Sequence, residues 1–228
     1  MGISVTAIVP VYNEEKFLEK SVQKLLKINK IDEIFIIDDS STDSSPDILN
    51  NLKKNNKKIT LFKTSKNSGK GFAITSVKES IRTDYVVIHD ADLEYNPEDI
   101  ELMLESIDQD KNNLVLGSRF KKDNKKQIYL RTYLANKFLS LCFSGIYLSK
   151  ITDIATCYKL MPSKYFRETV FKEVGFAIEV ELLAKFLKQN RNLEEVPISY
   201  EARSYEEGKK IKFIDGFKYL IAMIKYKF

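Results

Sequence analysis

Residues 33–46 read "EIFIIDDSSTDSSP", an apolar run that ends in two aspartates and a turn rich in hydroxyl side chains. The segment "EIFIID" has the β-branched and aromatic composition of a buried strand. Ser, Thr and Asp are common at helix starts, and Pro46 stands where the first turn of a helix tolerates proline. The stretch therefore predicts a strand, a short polar turn and then a helix.

The same order of elements recurs on both sides of this stretch. Strands are predicted at residues 5–11, 33–38, 59–63 and 85–90, with helices at 14–28, 46–55 and 71–81 between them. Repeated βα units imply an α/β fold with a mostly parallel sheet and helices on both of its faces. Beyond residue 100, strands are predicted at 113–120, 157–162 and 193–200, and helices at 128–148, 177–189 and 213–227.

Polar motifs follow three of the predicted strands. They are "VPVYNEE" at 9–15, Asp38-Asp39, and Asp90-Ala91-Asp92. In open parallel sheets, ligands bind at the carboxyl ends of the strands, near the switch in strand order. We therefore expect these motifs to share one rim of the sheet and one ligand site.

Length and composition favour a single domain with a real core, since 43% of the 228 residues are apolar. No run of 18 charge-free residues is found, and the N-terminus lacks the pattern of a secretory signal, so we expect a cytoplasmic protein. Cys142 and Cys157 have no CxxC spacing and only His89 as a histidine, which argues against a zinc site. The lone histidine also leaves no nucleophilic triad, and we interpret it as a packed, hydrogen-bonded residue.

Basic residues are concentrated in two segments of the chain. Residues 119–137 carry a net charge of +6 and residues 203–228 a net charge of +4, which leaves −5 for the remainder of a chain whose total is +5. Such islands are either solvated basic faces or a site for an anionic partner, such as phosphate, nucleic acid or a membrane surface.

The Asp90-Ala91-Asp92 motif is typical of a divalent metal site. Carboxylates one residue apart supply hard oxygen ligands to Mg²⁺ or Mn²⁺, ions that take phosphate oxygens for their remaining positions. Glu94 is a candidate third ligand. Asp38-Asp39 has two readings, a capping turn and a hydrogen-bond acceptor for a base or ribose. Lys70 in "KNSGKGFA" is a candidate phosphate ligand, although the spacing is not that of a Walker loop.

Eight motifs, in the order in which they occur along the chain, resemble those of one protein family. They are "VPVYNEE", "IIDDSSTDSS", "NSGKGFA", "HDADLEYNPEDI", "GSRF", "TDIATCYK", "FAIEVELLAKF" and "EVPISYEARSYEEGKKIKFIDG". Over nearly the whole chain, this series resembles the family 2 glycosyltransferases of the dolichyl-phosphate mannosyltransferase type, including bacterial polyprenyl-phosphate hexosyltransferases. The resemblance implies a GT-A fold and inverting transfer of a hexose from a nucleoside-diphosphate sugar to a polyprenyl phosphate, with Mg²⁺ or Mn²⁺.

The resemblance also assigns roles to individual residues. The nucleotide-sugar site would comprise Pro10, Tyr12, Glu14, Asp39, Lys70, Asp90 and Ala91. The metal ligands would be Asp90, Asp92 and Glu94. The acceptor phosphate would be bound by Arg119, Arg131, Arg203 and Lys210. The catalytic residues would be Asp92, Arg119 and Asp153, with Asp153 orienting acceptor or sugar hydroxyls unless it merely caps a helix. Cys157 and His89 stand where members of the family commonly have other residues. The resemblance therefore does not determine which sugar is transferred.

Residues 1–228 would form a single domain whose two halves bind different substrates. Residues 1–95 would bind the nucleotide, and residues 96–228 would bind the acceptor. In residues 213–228, apolar side chains on one helical face predict an interfacial helix, and core packing is the alternative. We therefore expect a peripheral protein on the cytoplasmic face of a membrane, docked directly or through an anchoring partner protein. Nucleic acid is not an expected partner.

Three questions stay open from the sequence. The donor is either GDP-mannose or a UDP-hexose. The acceptor is either polyprenyl phosphate or, for another kind of family 2 enzyme, a soluble or cell-surface glycan. A catalytically idle nucleotide-sugar-binding module is the alternative from another functional class. A sugar-nucleotide pyrophosphorylase is disfavoured, because "AIVPVYNEE" lacks its glycine-rich loop.

Overall fold

The computed structural model describes residues 2–121, 129–189, 192–203 and 213–228, with the side chain of Phe213 left undescribed. Seven strands make one sheet: β1 (Val5–Val11), β2 (Glu33–Asp38), β3 (Ile59–Lys63), β4 (Tyr85–Ile88), β5 (Leu114–Ser118), β6 (Lys159–Pro162) and β7 (Leu193–Pro197). Eight α-helices occur in the described ranges: α1 (Leu18–Leu26), α2 (Ser45–Asn55), α3 (Lys70–Ser76), α4 (Asp99–Glu105), α5 (Leu130–Tyr147), α6 (Ser163–Glu168), α7 (Ile178–Leu187) and α8 (Phe213–Lys227). A 3₁₀ turn covers Lys78–Ser80.

The sheet has the strand order β3-β2-β1-β4-β6-β5-β7, so its direction of winding reverses after β1. β1 lies parallel to β2 and β4, and β2 lies parallel to β3. This arrangement brings the carboxyl ends of β1, β2 and β4 to one rim, as predicted. The strand ranges 5–11, 33–38 and 59–63 are confirmed, whereas β4 ends at Ile88 and leaves Asp90-Ala91-Asp92 in the following turn.

The second half of the sheet is mixed. β6 runs antiparallel to both β4 and β5, and β7 lies parallel to β5. The α/β fold with a mostly parallel sheet is thus confirmed, with one reversed strand that the βα pattern did not predict. The helices α4 and α6 were also missed, because seven and six residues are too few to show a helical period.

Helices cover both faces of the sheet. One face packs against α3, α5, α6, α7 and α8, and the other packs against α1, α2 and α4. β1 is buried almost throughout, which explains its continuous apolar sequence. Among the helices within the described ranges, none combines the length and the apolar character that a bilayer-crossing segment needs.

Candidate active site

A cavity of about 890 Å³ opens at the carboxyl-end rim. Twelve of the predicted site residues line it: Pro10, Tyr12, Glu14, Asp39, Lys70, Asp90, Ala91, Asp92, Glu94, Arg119, Arg131 and Arg203. Asp153 is fully buried and does not line it, and Lys210 lies outside the described residues. The fold therefore gathers most of the predicted site from segments far apart in the sequence.

The loops that follow β1 and β2 are joined by hydrogen bonds to hydroxyl and amide side chains. Ser45 Oγ accepts a hydrogen bond from the Glu14 amide at 3.0 Å, and Asn13 Oδ1 accepts one from the Thr42 amide at 2.8 Å. Asn13, Ser40 and Leu93 adopt positive φ angles in the loops after β1, β2 and β4. Non-glycine residues seldom take this conformation, and it clusters at functional sites.

Asp39 organises the loop that leads into α3. Its carboxylate accepts hydrogen bonds from the amides of Ser68, at 3.0 Å, and Gly69, at 2.7 Å, and from Thr64 Oγ1 at 2.8 Å. Asp38 accepts a hydrogen bond from the Ser41 amide at 2.8 Å. The turn predicted for this aspartate pair is confirmed, but neither aspartate caps α2, whose N-cap is Ser44. The contact of Asp39 with a nucleotide base stays a prediction.

The two glycines of "SGKGF" make room for protein backbone. Gly69 has φ +96°, and a Cβ there would lie 2.5 Å from the Val174 carbonyl oxygen. A Cβ at Gly71 would collide with the Glu173 carbonyl oxygen. The structure thus accounts for this motif by the close passage of residues 173–175 beside the start of α3.

Lys70 lies between two carboxylates at the floor of the cavity. Its Nζ is 2.8 Å from Asp90 Oδ1 and 2.8 Å from Glu179 Oε1. Burial alone would lower the pKa of Lys70, but the charges of Asp90 and Glu179 raise it well above its ordinary value. Lys70 therefore stays cationic and is aimed at the first aspartate of the Asp90-Ala91-Asp92 motif.

Glu179 is a site residue that the sequence reasoning did not single out. It lines the cavity and also binds the fully buried Lys159, with Lys159 Nζ 2.5 Å from Glu179 Oε2. The sequence did contain a signal for Glu179, because it lies within the apolar segment "FAIEVELLAKF". A carboxylate that is buried in such a segment requires a cationic partner. The result is a row of alternating charges that runs from Lys159 through Glu179 and Lys70 to Asp90.

Arg203 lies on the carboxylates that were predicted to bind metal. Its Nη1 donates to Glu14 Oε2 and its Nη2 donates to Asp92 Oδ2, both at 2.9 Å, while its backbone amide donates to Glu94 Oε1 at 2.8 Å. Burial and the nearby charges of Glu94 and Asp90 raise the pKa of Asp92 to about 7, and Arg203 opposes the shift. This group of acids therefore carries more negative charge than Arg203 neutralises.

The carboxylate oxygens around Arg203 suit a divalent metal, although the Arg203 guanidinium already lies among them. Asp92 and Glu94 supply hard carboxylate oxygens, and Tyr200 donates to Glu94 Oε2 at 2.9 Å, which orients that side chain. Within the described ranges, no three His, Cys, Asp or Glu side chains are arranged around a common metal position. The site is thus compatible with a metal that takes one or two protein carboxylates together with oxygens of a diphosphate.

Arg119 and Asp153 form a buried bidentate ion pair. Arg119 Nε donates to Asp153 Oδ2 and Nη2 donates to Oδ1, both at 2.7 Å. The guanidinium also lies 5.0 Å from the centre of the Tyr200 ring. The structure therefore places Asp153 beneath Arg119, at the cavity wall, and the roles predicted for both residues stay predictions.

His89 links three elements of the core. Its Nε2 lies 3.0 Å from Ser21 Oγ in α1 and its Nδ1 lies 3.0 Å from the Tyr158 hydroxyl. Burial is the main cause that lowers the pKa of His89 to about 4. The prediction of a packed, hydrogen-bonded histidine is confirmed. Cys142 and Cys157 are both free thiols.

Two helices form the far side of the cavity. α5 contributes Arg131, Thr132, Ala135, Asn136, Phe138 and Leu139, and α8 contributes Asp215, Gly216, Phe217, Tyr219 and Leu220. Large apolar side chains of both helices are exposed, among them Leu134, Phe138, Leu141, Phe217, Ile221 and Ile224. Of these, Phe138 and Phe217 line the cavity. The opposite face of α8 is buried through Tyr219, Ala222, Met223 and Tyr226. Core packing and an exposed apolar face, the two alternatives for residues 213–228, therefore occur on opposite faces of one helix.

Comparison with known families agrees with this geometry. Residues 6–173 match the family described as "Glycosyl transferase family 2". The chain is a family 2 glycosyltransferase. A UDP-N-acetylglucosamine–dolichyl-phosphate N-acetylglucosaminyltransferase of Methanococcus voltae is 30% identical over 240 residues, which cover 96% of this chain and 94% of that protein. A dolichyl-phosphate beta-glucosyltransferase of Trichomonas vaginalis is 26% identical, over 98% of this chain and 73% of that protein.

Solved structures share the fold of this family 2 glycosyltransferase. Glucosyl-3-phosphoglycerate synthase from Mycobacterium tuberculosis, in complex with UDP, superposes with a TM-score of 0.75 at 16% identity, over 99% of this chain and 80% of that chain. The same enzyme with Mn²⁺, UDP-glucose and phosphoglyceric acid superposes with a TM-score of 0.74 at 15% identity, with the same coverage of both chains. The expected GT-A fold is thereby confirmed.

Proposed function

We propose that this glycosyltransferase transfers a hexose, with inversion, from a nucleoside-diphosphate sugar to a polyprenyl phosphate at a membrane surface. The observation that carries the proposal is the continuity of one cavity. It begins among the acidic residues at the carboxyl ends of β1, β2 and β4 and ends between two helices with exposed apolar side chains. A charged donor and an acceptor that is phosphate at one end and hydrocarbon at the other both suit such a cavity.

The donor would bind along the rim of the sheet. Pro10, Tyr12 and Asp39 would surround the nucleoside, and the diphosphate would lie near Asp92 and Glu94. Because two relatives are named for a UDP-sugar donor or a dolichyl-phosphate glucosyl product, we favour a UDP-hexose and keep GDP-mannose as the alternative. Both halves of the chain supply this site, since Arg203 and Glu179 contact residues that precede position 96.

Asp92 and Glu94 would hold Mg²⁺ or Mn²⁺ together with the donor, and Asp90 would remain paired with Lys70. A bound divalent ion supplies charge that stabilises the departing diphosphate. For those carboxylates to bind a metal, Arg203 must leave Asp92. Its guanidinium is then available for a phosphate, a role that its planar set of donors suits.

The acceptor itself needs little activation. A monoalkyl phosphate has a second pKa of about 6, so it is largely dianionic at neutral pH and already nucleophilic. The residues that line the cavity would therefore align the acceptor oxygen with the anomeric carbon rather than remove a proton from it. Arg131 on α5 stands at the helical side of the cavity, where the acceptor phosphate would enter.

The exposed faces of α5 and α8 would rest on lipid. Leu134 and Leu141 on α5, and Phe217 and Ile221 on α8, present exposed apolar surface. Lys218 and Lys225, each paired with a carboxylate, lie on the same helix as the last two. An apolar helix face bordered by lysine suits an anionic membrane interface. The alternative is docking through a membrane-anchoring partner protein. In that case the isolated chain would not bind vesicles.

The test is a transfer assay with purified protein and short-chain polyprenyl phosphate. UDP-glucose, UDP-N-acetylglucosamine and GDP-mannose would each be supplied with Mg²⁺ or Mn²⁺, and the Asp92→Asn variant would serve as the inactive control. Formation of a lipid-linked sugar by the wild type alone is the expected result. Transfer only to a soluble glycan or phosphoglycerate would support the other acceptor class. Donor binding without hydrolysis or transfer under all conditions would support a non-catalytic module.

A further inference from the structure

A second cavity, of about 530 Å³, lies beside the end of α8 and shares no lining residue with the first. Its wall is made of the end of α6 with the chain that follows, the end of α7 and the end of α8. Among the described residues, its charged lining consists of one carboxylate and four lysines: Glu168, Lys172, Lys185, Lys188 and Lys225. The cavity is therefore basic, and the proposed transfer reaction does not use it.

Glu181 is a fully buried acid behind this wall, and it fixes part of the chain that carries the lysines. Its carboxylate accepts hydrogen bonds from the backbone amides of Lys172, at 2.9 Å, and Glu173, at 2.7 Å. Its Oε1 also lies 2.6 Å from Lys185 Nζ, and Glu173 Oε1 lies 2.7 Å from Lys225 Nζ. Because neither Glu173 nor Glu181 lines the cavity, a ligand inside it would meet the lysines and not these two acids.

The charges around the second cavity do not balance. Lys172 and Lys188 are exposed, and within the described ranges neither side chain takes part in an ion pair. The other two lysines are neutralised by Glu173 and Glu181, and Glu168 supplies one further carboxylate. One positive charge is left in excess, which a phosphodiester, with its single negative charge, would neutralise.

Apolar side chains adjoin this basic cavity. Val170 and Phe228 line it, and both are exposed. Phe217, Ile221 and Ile224 share one face of α8 by their spacing of four and three residues, and Phe228 follows after four more. Phe217 lines the first cavity. The exposed apolar stripe of α8 therefore begins at the first cavity and ends at the second.

We propose that this second cavity binds the phosphodiester headgroup of an anionic membrane lipid, whose acyl chains lie along the exposed stripe of α8. The phosphate is complementary to the lysines and the hydrocarbon to the stripe, whereas a free anion would leave the stripe in water. The inference rests on the proposed docking of α8 on lipid, but not on the identity of the sugar donor or of the acceptor. A lipid held at the end of α8 would orient the enzyme so that the first cavity, at the start of the helix, faces the bilayer.

The experiment measures vesicle binding by the wild type and by the double variant Lys172→Ala and Lys188→Ala. These substitutions leave the ion pairs of Lys185 and Lys225 in place, so the fold is retained. On phosphatidylcholine vesicles that contain phosphatidylglycerol, the variant should bind about 10- to 30-fold more weakly, from about fivefold for each lysine near an anionic surface. On vesicles of phosphatidylcholine alone, the two proteins should bind equally.

The matched control is the double variant Lys54→Ala and Lys57→Ala. It removes two exposed lysines in and just after α2, a helix that packs on the opposite face of the sheet from α8. This control should bind both kinds of vesicle as the wild type does. An equal loss in the two double variants would mean diffuse attraction by net charge and would overturn the inference, as would a loss in neither of them.

Soluble ligands separate a lipid headgroup from a free anion. Glycerophosphoglycerol, the headgroup of phosphatidylglycerol without its acyl chains, should displace the wild type from anionic vesicles at concentrations where sodium chloride does not. Saturable binding of inorganic phosphate, together with unchanged vesicle binding by the Lys172 and Lys188 variant, would assign the cavity to a free anion and overturn the inference. Transfer to a water-soluble, short-chain polyprenyl phosphate should be equal in all three proteins. If none of them transfers sugar while the variant-specific loss of vesicle binding is found, the proposed function fails and this inference stands.

Discussion

Arg203 donates from Nη2 to Asp92 Oδ2 at 2.9 Å, across 111 positions of sequence. The same guanidinium binds Glu14, and the backbone amide of Arg203 binds Glu94. A cation of the protein thus neutralises part of the charge that a divalent metal would neutralise. A metal bound by Asp92 and Glu94, as proposed, would therefore compete with Arg203 for the same oxygens, and several predictions depend on this competition or on its surroundings.

Replacement of Asp92 by asparagine should abolish transfer, with a loss of at least about 100-fold, since a charged ligand of the proposed metal disappears. Burial and neighbouring acids raise the pKa of Asp92 to about 7, so its ionised form is disfavoured by the folded state. At pH 8 the variant should therefore unfold in urea at a concentration no lower than the wild type. Wild-type turnover by Asp92→Asn, or full activity in EDTA, would contradict the assignment.

Arg203→Ala should bind Mn²⁺ more tightly than the wild type when no donor is present, because the carboxylates lose their competing cation. Transfer should nevertheless fall by about 100-fold if the guanidinium contacts a phosphate during the reaction, the equivalent of roughly 2 to 3 kcal/mol. Electron paramagnetic resonance of Mn²⁺ and a transfer assay measure the two effects. Arg82→Ala is the control, as Arg82 contacts only the carbonyl oxygens of Glu79 and Ile81 in the described structure. Unchanged Mn²⁺ affinity would show that Arg203 and the metal use different oxygens.

Gly71→Ala should destabilise the protein by about 1 to 3 kcal/mol, because the new Cβ collides with the Glu173 carbonyl oxygen and the backbone must shift. The shift would also displace Lys70 and raise the KM of the donor. Gly145→Ala is the matched control, since a Cβ at this position in α5 meets nothing within 4 Å and alanine favours a helix. Urea unfolding of both variants measures the difference. Equal stability of Gly71→Ala and the wild type would refute the packing explanation of this glycine.

The double substitution Phe217→Glu and Ile221→Glu should release the protein from anionic vesicles while its melting temperature changes by only a few degrees. Both side chains are more than half exposed, at 52% and 65%, so their removal costs the core little. Vesicle sedimentation and thermal unfolding report the two quantities. Leu102→Glu on α4 introduces a similar change away from this face and should leave vesicle binding intact. A large fall in melting temperature would mean that these residues are part of the core.

The stability of the protein should depend on His89 below neutral pH. Burial lowers the pKa of His89 from 6.5 to about 4, so between these values the unfolded chain takes up a proton that the folded protein does not. The stabilisation is fully present above pH 6.5 and is lost as the pH falls towards 4, by a total of about 3 kcal/mol. Urea unfolding of the wild type and His89→Gln across this range isolates the effect as their difference. Parallel curves for the two proteins would disprove it.

The sequence by itself determined the first half of the fold and the position of the site in it. Apolar runs such as "EIFIID" specify their own strand, because residue composition and period are local properties. In a parallel sheet, the polar residues after such strands must meet at one rim. The position of Asp39, Asp90 and Asp92 at that rim therefore follows from the sequence alone.

Only the tertiary structure decided how the charges pair. Glu179 reaches Lys70 from α7, Arg203 reaches Asp92 across most of the chain, and Asp153 takes Arg119 rather than a place in the cavity. Each pairing depends on which strands are neighbours and on the reversed direction of β6, and no local pattern encodes that relation. The two faces of α8 were decided in the same way, since an apolar helix shows its buried side only when α5 and α7 are in place against it.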